Sequence, residues 1–353
     1  MRSTITARAL ALVIGSLCSG LQFCALADDS IPAFKDADEM VSGWYHRMEH
    51  DTWRNKGARD EVVEGILKRI ENAEGERSDP ELVNTISKYG PGNWVYEWQQ
   101  AGEVAMRQAR KAKDPAQATR LYREALAYFT TASWPHLGLA ADKGALALAR
   151  QAYIAAGAPD LPAVQHLQFA VGDTTTRGYL HLPAGPGPFP VLVFTHGSDV
   201  TKEDALPLFN DELAPRGIAL FAVDMPGIGE ASHIPLYTGS DLVLSGAVDF
   251  MHELDEIDKQ NIFVGGASFG GNAAATFFLR HQAAGVISLC GPLHSPFMAP
   301  PEVLDSLPRL TIDGVKARVG TLGRPTAEMI PLAQQVSIKK MGLTEGTEID
   351  TPL

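Results

Sequence analysis

The chain has 353 residues, with 30 Lys and Arg against 42 Asp and Glu, and its formal net charge is −12 at pH 7. An acidic chain of this kind binds nucleic acid and anionic membrane surfaces poorly, so we expect neither as a partner. The length is sufficient to bury one or two hydrophobic cores.

Residues 1–27 have the pattern of a secretory signal peptide. Arg2 and Arg8 provide a positive start, an apolar run follows, and an Ala-Leu-Ala cleavage site ends at Ala27. The run is too short to cross a bilayer, so we expect no stable membrane insertion and a periplasmic or secreted mature chain. Cleavage leaves 28 basic against 42 acidic residues and removes two of the three cysteines, so Cys290 is expected to have no intramolecular disulfide partner.

Residues 28–160 are predicted to form one helical domain. Asp114 and Pro115 have the character of a helix N-cap and a first-turn proline. No clean tetratricopeptide-type repeat is present, which favours a single domain over a repeat array. Apolar residues recur at helical spacing in three stretches: EVVEGILKRI (61–70), WVYEWQQAGEVAMRQARKA (94–112) and AQATRLYREALAYFTTA (116–132).

Residues 161–353 change to short apolar runs that alternate with helical segments. An outer hairpin is predicted within 166–182. In the runs that alternate with helical segments, the hydrophobicity is continuous rather than alternating. This indicates a mostly parallel, doubly wound sheet covered on both faces, and therefore the α/β class. The predicted buried strands are PFPVLVFTHG (188–197), IALFAV (218–223), NIFV (261–264) and AGVISLC (284–290), and the predicted helices are DALPLFNDELAPRG (204–217), DLVLSGAVDFMHELDEI (241–257) and NAAATFFLRHQ (272–282).

The stretch VGGASFGGNAA (264–274) contains a G-x-S-x-G motif between a predicted strand and a predicted helix. This layout is typical of a nucleophile elbow, with Ser268 as the nucleophile. Such a turn holds its serine at strained φ and ψ values, and a Cβ two residues to either side would clash with the crossing backbone. Gly266 and Gly270 occupy those two positions.

The loops after neighbouring strands should meet Ser268, because ligand sites of open parallel sheets lie at the carboxyl ends of the strands. His196-Gly197-Ser198 follows the first central strand, and Gly197 is the small residue that such a loop requires. A tetrahedral oxyanion needs preplaced donors. The candidate donors are the backbone N–H groups of Ser198 and Phe269.

HGSDVTKED (196–204), VDMPGIGEAS (223–232) and the Ser268 stretch, behind a helical domain, resemble the α/β-hydrolase fold. More narrowly they resemble the FrsA-like esterases, a group similar to carbon–carbon hydrolases of pyridine diketones and fungal polyketides. The resemblance implies hydrolysis of esters or β-diketone-type bonds by Ser268, with Ser198 and Phe269 as the oxyanion hole. It also implies a helical domain over the catalytic sheet and a cap-like excursion at 295–345, and it leaves open a homodimer through the helical domain.

The triad in this fold runs in the order Ser, acid, His. The chain reaches Leu353 without the last strands, acid and histidine that the resemblance implies. We therefore expect a C-terminally truncated chain that is nearly inactive and prone to aggregation as it stands. His233 and His294 follow strands on the correct side of the sheet and are candidate substitute bases.

Two classes of function fit these patterns. The leading interpretation is a serine hydrolase acting on a small-molecule ester or ketone. The alternative is a catalytically inactive binding or scaffold protein, which the missing acid and histidine favour. A carbon–carbon hydrolase would differ from an esterase only in its substrate. No metal, Walker A or dinucleotide motif occurs, so we expect no cofactor and no metal.

Overall fold

The structure is a computed structural model that describes residues 49–78, 85–157, 161–307 and 309–345. The predicted signal peptide and its cleavage site lie outside the described residues. Within this part of the chain, the residues of Leu26–Pro159 form one compact unit, and those of Asp160–Leu307 and Thr311–Leu353 form a second. Among the described helices, none combines the length and the apolar character needed to cross a bilayer.

The described part of the first unit consists mainly of helices. α4 begins at the expected cap, because the Asp114 carboxylate accepts hydrogen bonds from the backbone N–H groups of Ala116 and Gln117 at 3.2 and 3.1 Å. Pro115 occupies the first turn, where its missing N–H costs nothing. The helices are α1 (Glu49–Lys56), α2 (Asp60–Glu71), α3 (Trp94–Lys111), α4 (Pro115–Ser133) and α5 (Ala140–Ala155).

The second unit is built on a sheet of six described strands in the order β1-β2-β4-β3-β5-β6. β1 and β2 form the predicted antiparallel hairpin and β2 pairs antiparallel with β4, while the other pairs are parallel. This mostly parallel sheet confirms the predicted α/β class. The strands are β1 (Gln165–Val171), β2 (Thr174–His181), β3 (Phe189–Thr195), β4 (Ala219–Val223), β5 (Ile257–Ala267) and β6 (Gly285–Leu289).

The central strands are buried along their length, as their continuous apolar runs predict. All five residues of β4 and the last five of β3 are buried. Helices α6 (Leu242–Glu253) and α7 (Phe269–Arg280) cover the sheet. Val243, Ala247 and Met251 of α6 are spaced along one helical face and join the core formed by the strands.

The segment predicted as a helix at 204–217 is helical, but it is not a regular α-helix. It forms a π-helix at Leu208–Leu213 and then a 3₁₀ turn at Ala214–Arg216. Pro215 has no N–H and cannot extend an i→i−4 ladder, so the helical register changes before it. Gly217 ends the segment in the left-handed region, with φ of 69°.

The described residues within 295–345 form a succession of short helices, which include α8 (Pro301–Leu304), α9 (Arg309–Arg318) and α10 (Thr326–Ala333). Their buried apolar side chains cluster with Met225 of the loop after β4 and with Phe269 at the start of α7. We call this stretch the cap segment. It packs directly on the elements that surround Ser268.

The other two cysteines of the sequence lie outside the described residues, so the expectation for Cys290, which concerns the chain after cleavage, stays a prediction.

Candidate active site

Ser268 lies between β5 and α7 on a strained turn. Its φ is 55° and its ψ is −125°, outside the regions that side-chain-bearing residues favour. Its backbone N–H donates to the Leu289 carbonyl oxygen at 2.8 Å, and its carbonyl oxygen accepts from the Gly271 N–H at 2.8 Å. The residue is exposed to solvent, so the hydroxyl is accessible at the end of the sheet.

Gly266 and Gly270 are required by the approach of the backbone on both sides of Ser268. A Cβ placed on Gly266 would lie 2.0 Å from the Gly270 carbonyl oxygen. A Cβ on Gly270 would lie 2.4 Å from the His196 carbonyl oxygen and 2.7 Å from that of Thr195. A side chain at either glycine would therefore clash with the backbone, as the motif predicts, and the turn has the geometry of a nucleophile elbow.

The loop after β3 lies against Ser268. A Cβ placed on Gly197 would be 2.8 Å from the Ser268 Cβ and 3.0 Å from its Oγ, so only glycine allows this approach. Ser198 is the next residue in that loop, and Phe269 is the first residue of α7. Each candidate oxyanion donor therefore lies next in the chain to a residue at the hydroxyl: Ser198 follows Gly197, and Phe269 follows Ser268. The N-terminus of α7 adds a partial positive charge favourable to an anion.

Sequence reasoning missed a buried cation beside this loop. The Lys202 ammonium is fully buried, and its Nζ lies 2.7 Å from Asp224 Oδ2, 2.8 Å from Glu230 Oε2 and 3.3 Å from Glu203 Oε1. Burial alone would lower the pKa of Lys202, but the three carboxylates outweigh it and raise the pKa above its ordinary value. The Lys-Glu-Asp run between a buried strand and an apolar helix was the sequence signal for this site.

Asp224 holds both the loop after β4 and the loop after β3. Its carboxylate accepts the backbone N–H of Glu230 at 2.8 Å, which fixes the Pro-Gly loop that follows β4. It also accepts the backbone N–H of Lys202 at 2.9 Å. A Cβ on Gly229 would lie 2.2 Å from Asp224 Oδ2, so that position must also be glycine.

The network around Lys202 extends to the β1–β2 hairpin. The Tyr179 hydroxyl donates to Glu203 Oε1 at 3.1 Å, and the Lys202 ammonium lies 5.1 Å from the centre of the Tyr179 ring. His166 Nε2 lies 2.7 Å from Glu230 Oε2. Two strands and two site loops therefore share one set of charge-assisted contacts.

The two candidate substitute bases are hydrogen-bonded to groups other than Ser268. His233 Nε2 lies 3.2 Å from Thr174 Oγ1 and 3.0 Å from the Thr175 carbonyl oxygen, at the start of β2. In the sheet, β4 and β3 separate β2 from β5. His294 follows β6, the neighbour of β5, and its Nδ1 lies 2.7 Å from the Ser337 hydroxyl of the cap segment.

Asn272 in α7 joins the loop after β6 to the cap segment. Its Nδ2 donates to the carbonyl oxygens of Pro292 and Val336, both at 2.9 Å, and the residue is completely buried. Phe269 makes a second connection, because its ring centroid lies 5.7 Å from that of Phe297. The helix that begins at the elbow is thus attached to the cap segment at two points.

A mostly parallel sheet with covering helices and a strained serine elbow after its fifth strand defines an α/β-hydrolase. Residues 25–353 match the family described as Esterase FrsA-like. The chain belongs to this FrsA-like esterase family, as the resemblance predicted.

Two relatives and two solved structures illustrate the match. Esterase FrsA of Vibrio cholerae serotype O1 is 31% identical over 324 residues, which cover 90% of this chain and 76% of that protein. Esterase FrsA of Yersinia pestis is 29% identical over 320 residues, which cover 89% and 77%. The chain is also similar to the 2,6-dihydroxy-pseudo-oxynicotine hydrolase, with a TM-score of 0.64 and 20% identity over 81% of this chain and 75% of that one. Wild-type AbyA5 has a TM-score of 0.59 and 19% identity over 79% and 70%.

Proposed function

We propose that this FrsA-like chain is a serine hydrolase of carboxylic esters, or of related acyl and β-diketone bonds, in small molecules. The observation that carries the proposal is the strained, solvent-exposed Ser268 on a Gly-flanked elbow. A backbone conformation of this kind persists only where the surrounding structure enforces it, and here it presents a hydroxyl at the ligand-binding edge of the sheet. Its curated relatives carry the name esterase.

The reaction proceeds in two stages. The Ser268 Oγ attacks the substrate carbonyl carbon while its proton passes to a general base, and the carbonyl oxygen becomes an oxyanion. The backbone N–H groups of Phe269 and Ser198 donate to that oxyanion. Collapse of the tetrahedral species breaks the bond to the leaving oxygen, which takes up the proton held by the base and departs as the alcohol. Water then gives a proton to the base and attacks the acyl-enzyme, and the second collapse releases the acid while the base returns that proton to the Ser268 Oγ.

Labelling with a fluorophosphonate probe tests the nucleophile. The Ser268 Oγ forms a bond to phosphorus, fluoride leaves, and the hydroxyl proton goes to the solvent. We expect labelling of the wild-type protein at Ser268 and of the Ser306→Ala variant, since Ser306 is an exposed serine elsewhere. The Ser268→Ala variant should remain unlabelled, and equal labelling of both variants would refute the proposal. Hydrolysis of p-nitrophenyl esters, compared with cleavage of a β-diketone, then separates the two substrate classes.

A catalytically inactive binding or scaffold protein is the second candidate. It is favoured by one observation, the engagement of His233 with the β1–β2 hairpin and of His294 with Ser337. Under this hypothesis, wild-type and Ser268→Ala proteins bind a small ester with equal affinity, and neither protein hydrolyses it. Isothermal titration with a phosphonate ester of the same size distinguishes the two hypotheses, because in an active site the Ser268 Oγ bonds to phosphorus and displaces the alcohol, so the wild-type protein binds it more tightly than Ser268→Ala.

We further propose that residues 1–27 direct export, so that the enzyme acts in the periplasm or outside the cell. The supporting pattern is the basic start, the apolar run and the small-residue site before Asp28.

A further inference from the structure

Arg318, the last residue of α9, joins the loop after β3, which lies against Ser268, to the loop after β4. Its Nε donates to the Ser198 carbonyl oxygen and its Nη1 to the Gly227 carbonyl oxygen, each at 2.8 Å. The first carbonyl belongs to the loop after β3 and the second to the loop after β4. The Arg318 residue is only 3% exposed, so water competes little for either bond.

The backbone of α9 lies close to both loops that Arg318 contacts. Gly227 has φ of 87°, and a Cβ placed on it would lie 2.8 Å from the Cα and from the carbonyl oxygen of Arg318. At Gly314, one turn earlier in α9, a Cβ would lie 3.7 Å from the Ser198 Oγ, which is an ordinary contact. The helix therefore runs beside Ser198 and ends against Gly227.

Arginine suits this position better than other cations. Its guanidinium group is planar and holds its N–H donors in a fixed fork, so two carbonyl oxygens bound to it have a fixed separation. Lysine would supply a single ammonium on a flexible stem and could not fix both oxygens in this way. The Arg318 guanidinium group thus holds the Ser198 carbonyl group at a fixed distance from the loop after β4. Asp224 in turn holds that loop.

We propose that Arg318 is a positioning residue for the oxyanion hole, through which the cap segment fixes the Ser198 backbone beside Ser268. The inference rests on the proposed function, because Ser198 matters to the chemistry only if its N–H stabilises an oxyanion. A displacement of a catalytic group by about 1 Å lowers a rate by about 100-fold, so small movements of this loop are sufficient to matter. Arg318 itself contacts neither the nucleophile nor the substrate in this assignment.

The first test measures fluorophosphonate labelling of Ser268, with the limiting rate kinact separated from the half-saturating concentration KI. We expect Arg318→Met to lower kinact by about 10- to 100-fold with KI changed less than threefold. This is at most the effect of a displacement of about 1 Å and less than the loss of a whole oxyanion donor. Arg318→Lys should recover part of kinact, because one donor remains. Arg324→Met is the matched control, since Arg324 is an exposed arginine of the same segment paired with Glu328. It should label at the wild-type rate.

The second test is hydrogen exchange of the same proteins, which does not depend on catalysis. We expect faster exchange in peptides covering 196–201 and 225–229 in Arg318→Met, a smaller increase in Arg318→Lys and none in Arg324→Met. Unchanged exchange in both loops, or a wild-type kinact in Arg318→Met, would overturn the assignment. If Arg318→Met does not fold, the Arg318→Lys variant decides both tests by itself. An unlabelled wild-type protein with altered loop exchange in the variants would refute the proposed function while retaining the link between α9 and the loops.

Discussion

Gly270 lies so close to the end of β3 that a Cβ on it would stand 2.4 Å from the carbonyl oxygen of His196. Two residues from Ser268, the chain thus leaves no space for even the smallest side chain. The obstacle is backbone, which cannot rotate aside as a flexible side chain could. The elbow and the loop after β3 therefore form one closely fitted unit.

Gly270→Ala should destabilise the α/β unit by about 2–3 kcal/mol, since overpacking against fixed backbone costs that much, and it should abolish labelling of Ser268. Urea unfolding and the fluorophosphonate assay measure the two effects. Gly314→Ala is the control for stability, because its new Cβ would meet only an ordinary contact in a helix. A Gly270→Ala protein as stable as Gly314→Ala would contradict the fit described here.

Lys202→Met should destabilise the protein by about 3–5 kcal/mol, because it leaves buried carboxylates without their cation. Adding Asp224→Asn to the same variant should recover part of the loss by removing one uncompensated charge. Urea unfolding of the single and double variants provides the measurement. Lys259→Met, at an exposed position of β5, serves as the control and should change stability by less than about 0.5 kcal/mol. A cost below about 1 kcal/mol for Lys202→Met would argue against a structural role for the ion cluster.

Burial lowers the pKa of His181 to about 3. The folded protein therefore keeps a neutral imidazole, while the unfolded chain takes up a proton near its ordinary pKa of 6.5. Stability that is fully present above pH 6.5 should be lost as the pH falls towards 3, at about 1.4 kcal/mol per pH unit from this residue.

The comparison of wild type with His181→Phe isolates that contribution. Phenylalanine keeps an aromatic ring against Phe209, whose centroid lies 4.7 Å from that of His181. Unfolding free energies measured at pH 7.5, 6.5, 5.5 and 4.5 should fall less steeply in the variant. Parallel curves for the two proteins would show that His181 does not contribute to acid sensitivity.

Expression of the whole chain in an exporting bacterial host should yield a protein that begins at Asp28. N-terminal sequencing and intact mass determine the start. Replacing Ala25 and Ala27 with arginine should block cleavage, because the processing site requires small residues. Recovery of the uncleaved chain from the cytoplasm would contradict the export proposal.

The sheet and the elbow could be predicted because their signals are local. Continuous apolar runs identify buried strands, and glycines at 266 and 270 mark the close approach around Ser268 within a few residues. The contacts of Lys202 and Arg318 could not be predicted in the same way, since their partners lie 22 and 120 residues away along the chain. Nothing in a single sequence distinguishes a buried arginine on carbonyl oxygens from an exposed one on a helix. The irregular form of the helix at 204–217 could not be predicted for a related reason, because composition does not reveal where a proline shifts the register.

Phe269 takes part in both the elbow and the packing of the cap segment. Its backbone N–H is a candidate oxyanion donor, and its ring packs on Phe297 of the cap segment. Exchanging the cap segment for that of another hydrolase would therefore alter the packing around the Phe269 ring, and with it the support of the Phe269 backbone N–H. A chimera that retains the elbow sequence intact could still lose its reactivity towards the probe. Transplantation of this cap segment should be successful only where the incoming segment supplies a side chain that fills the place of the Phe297 ring.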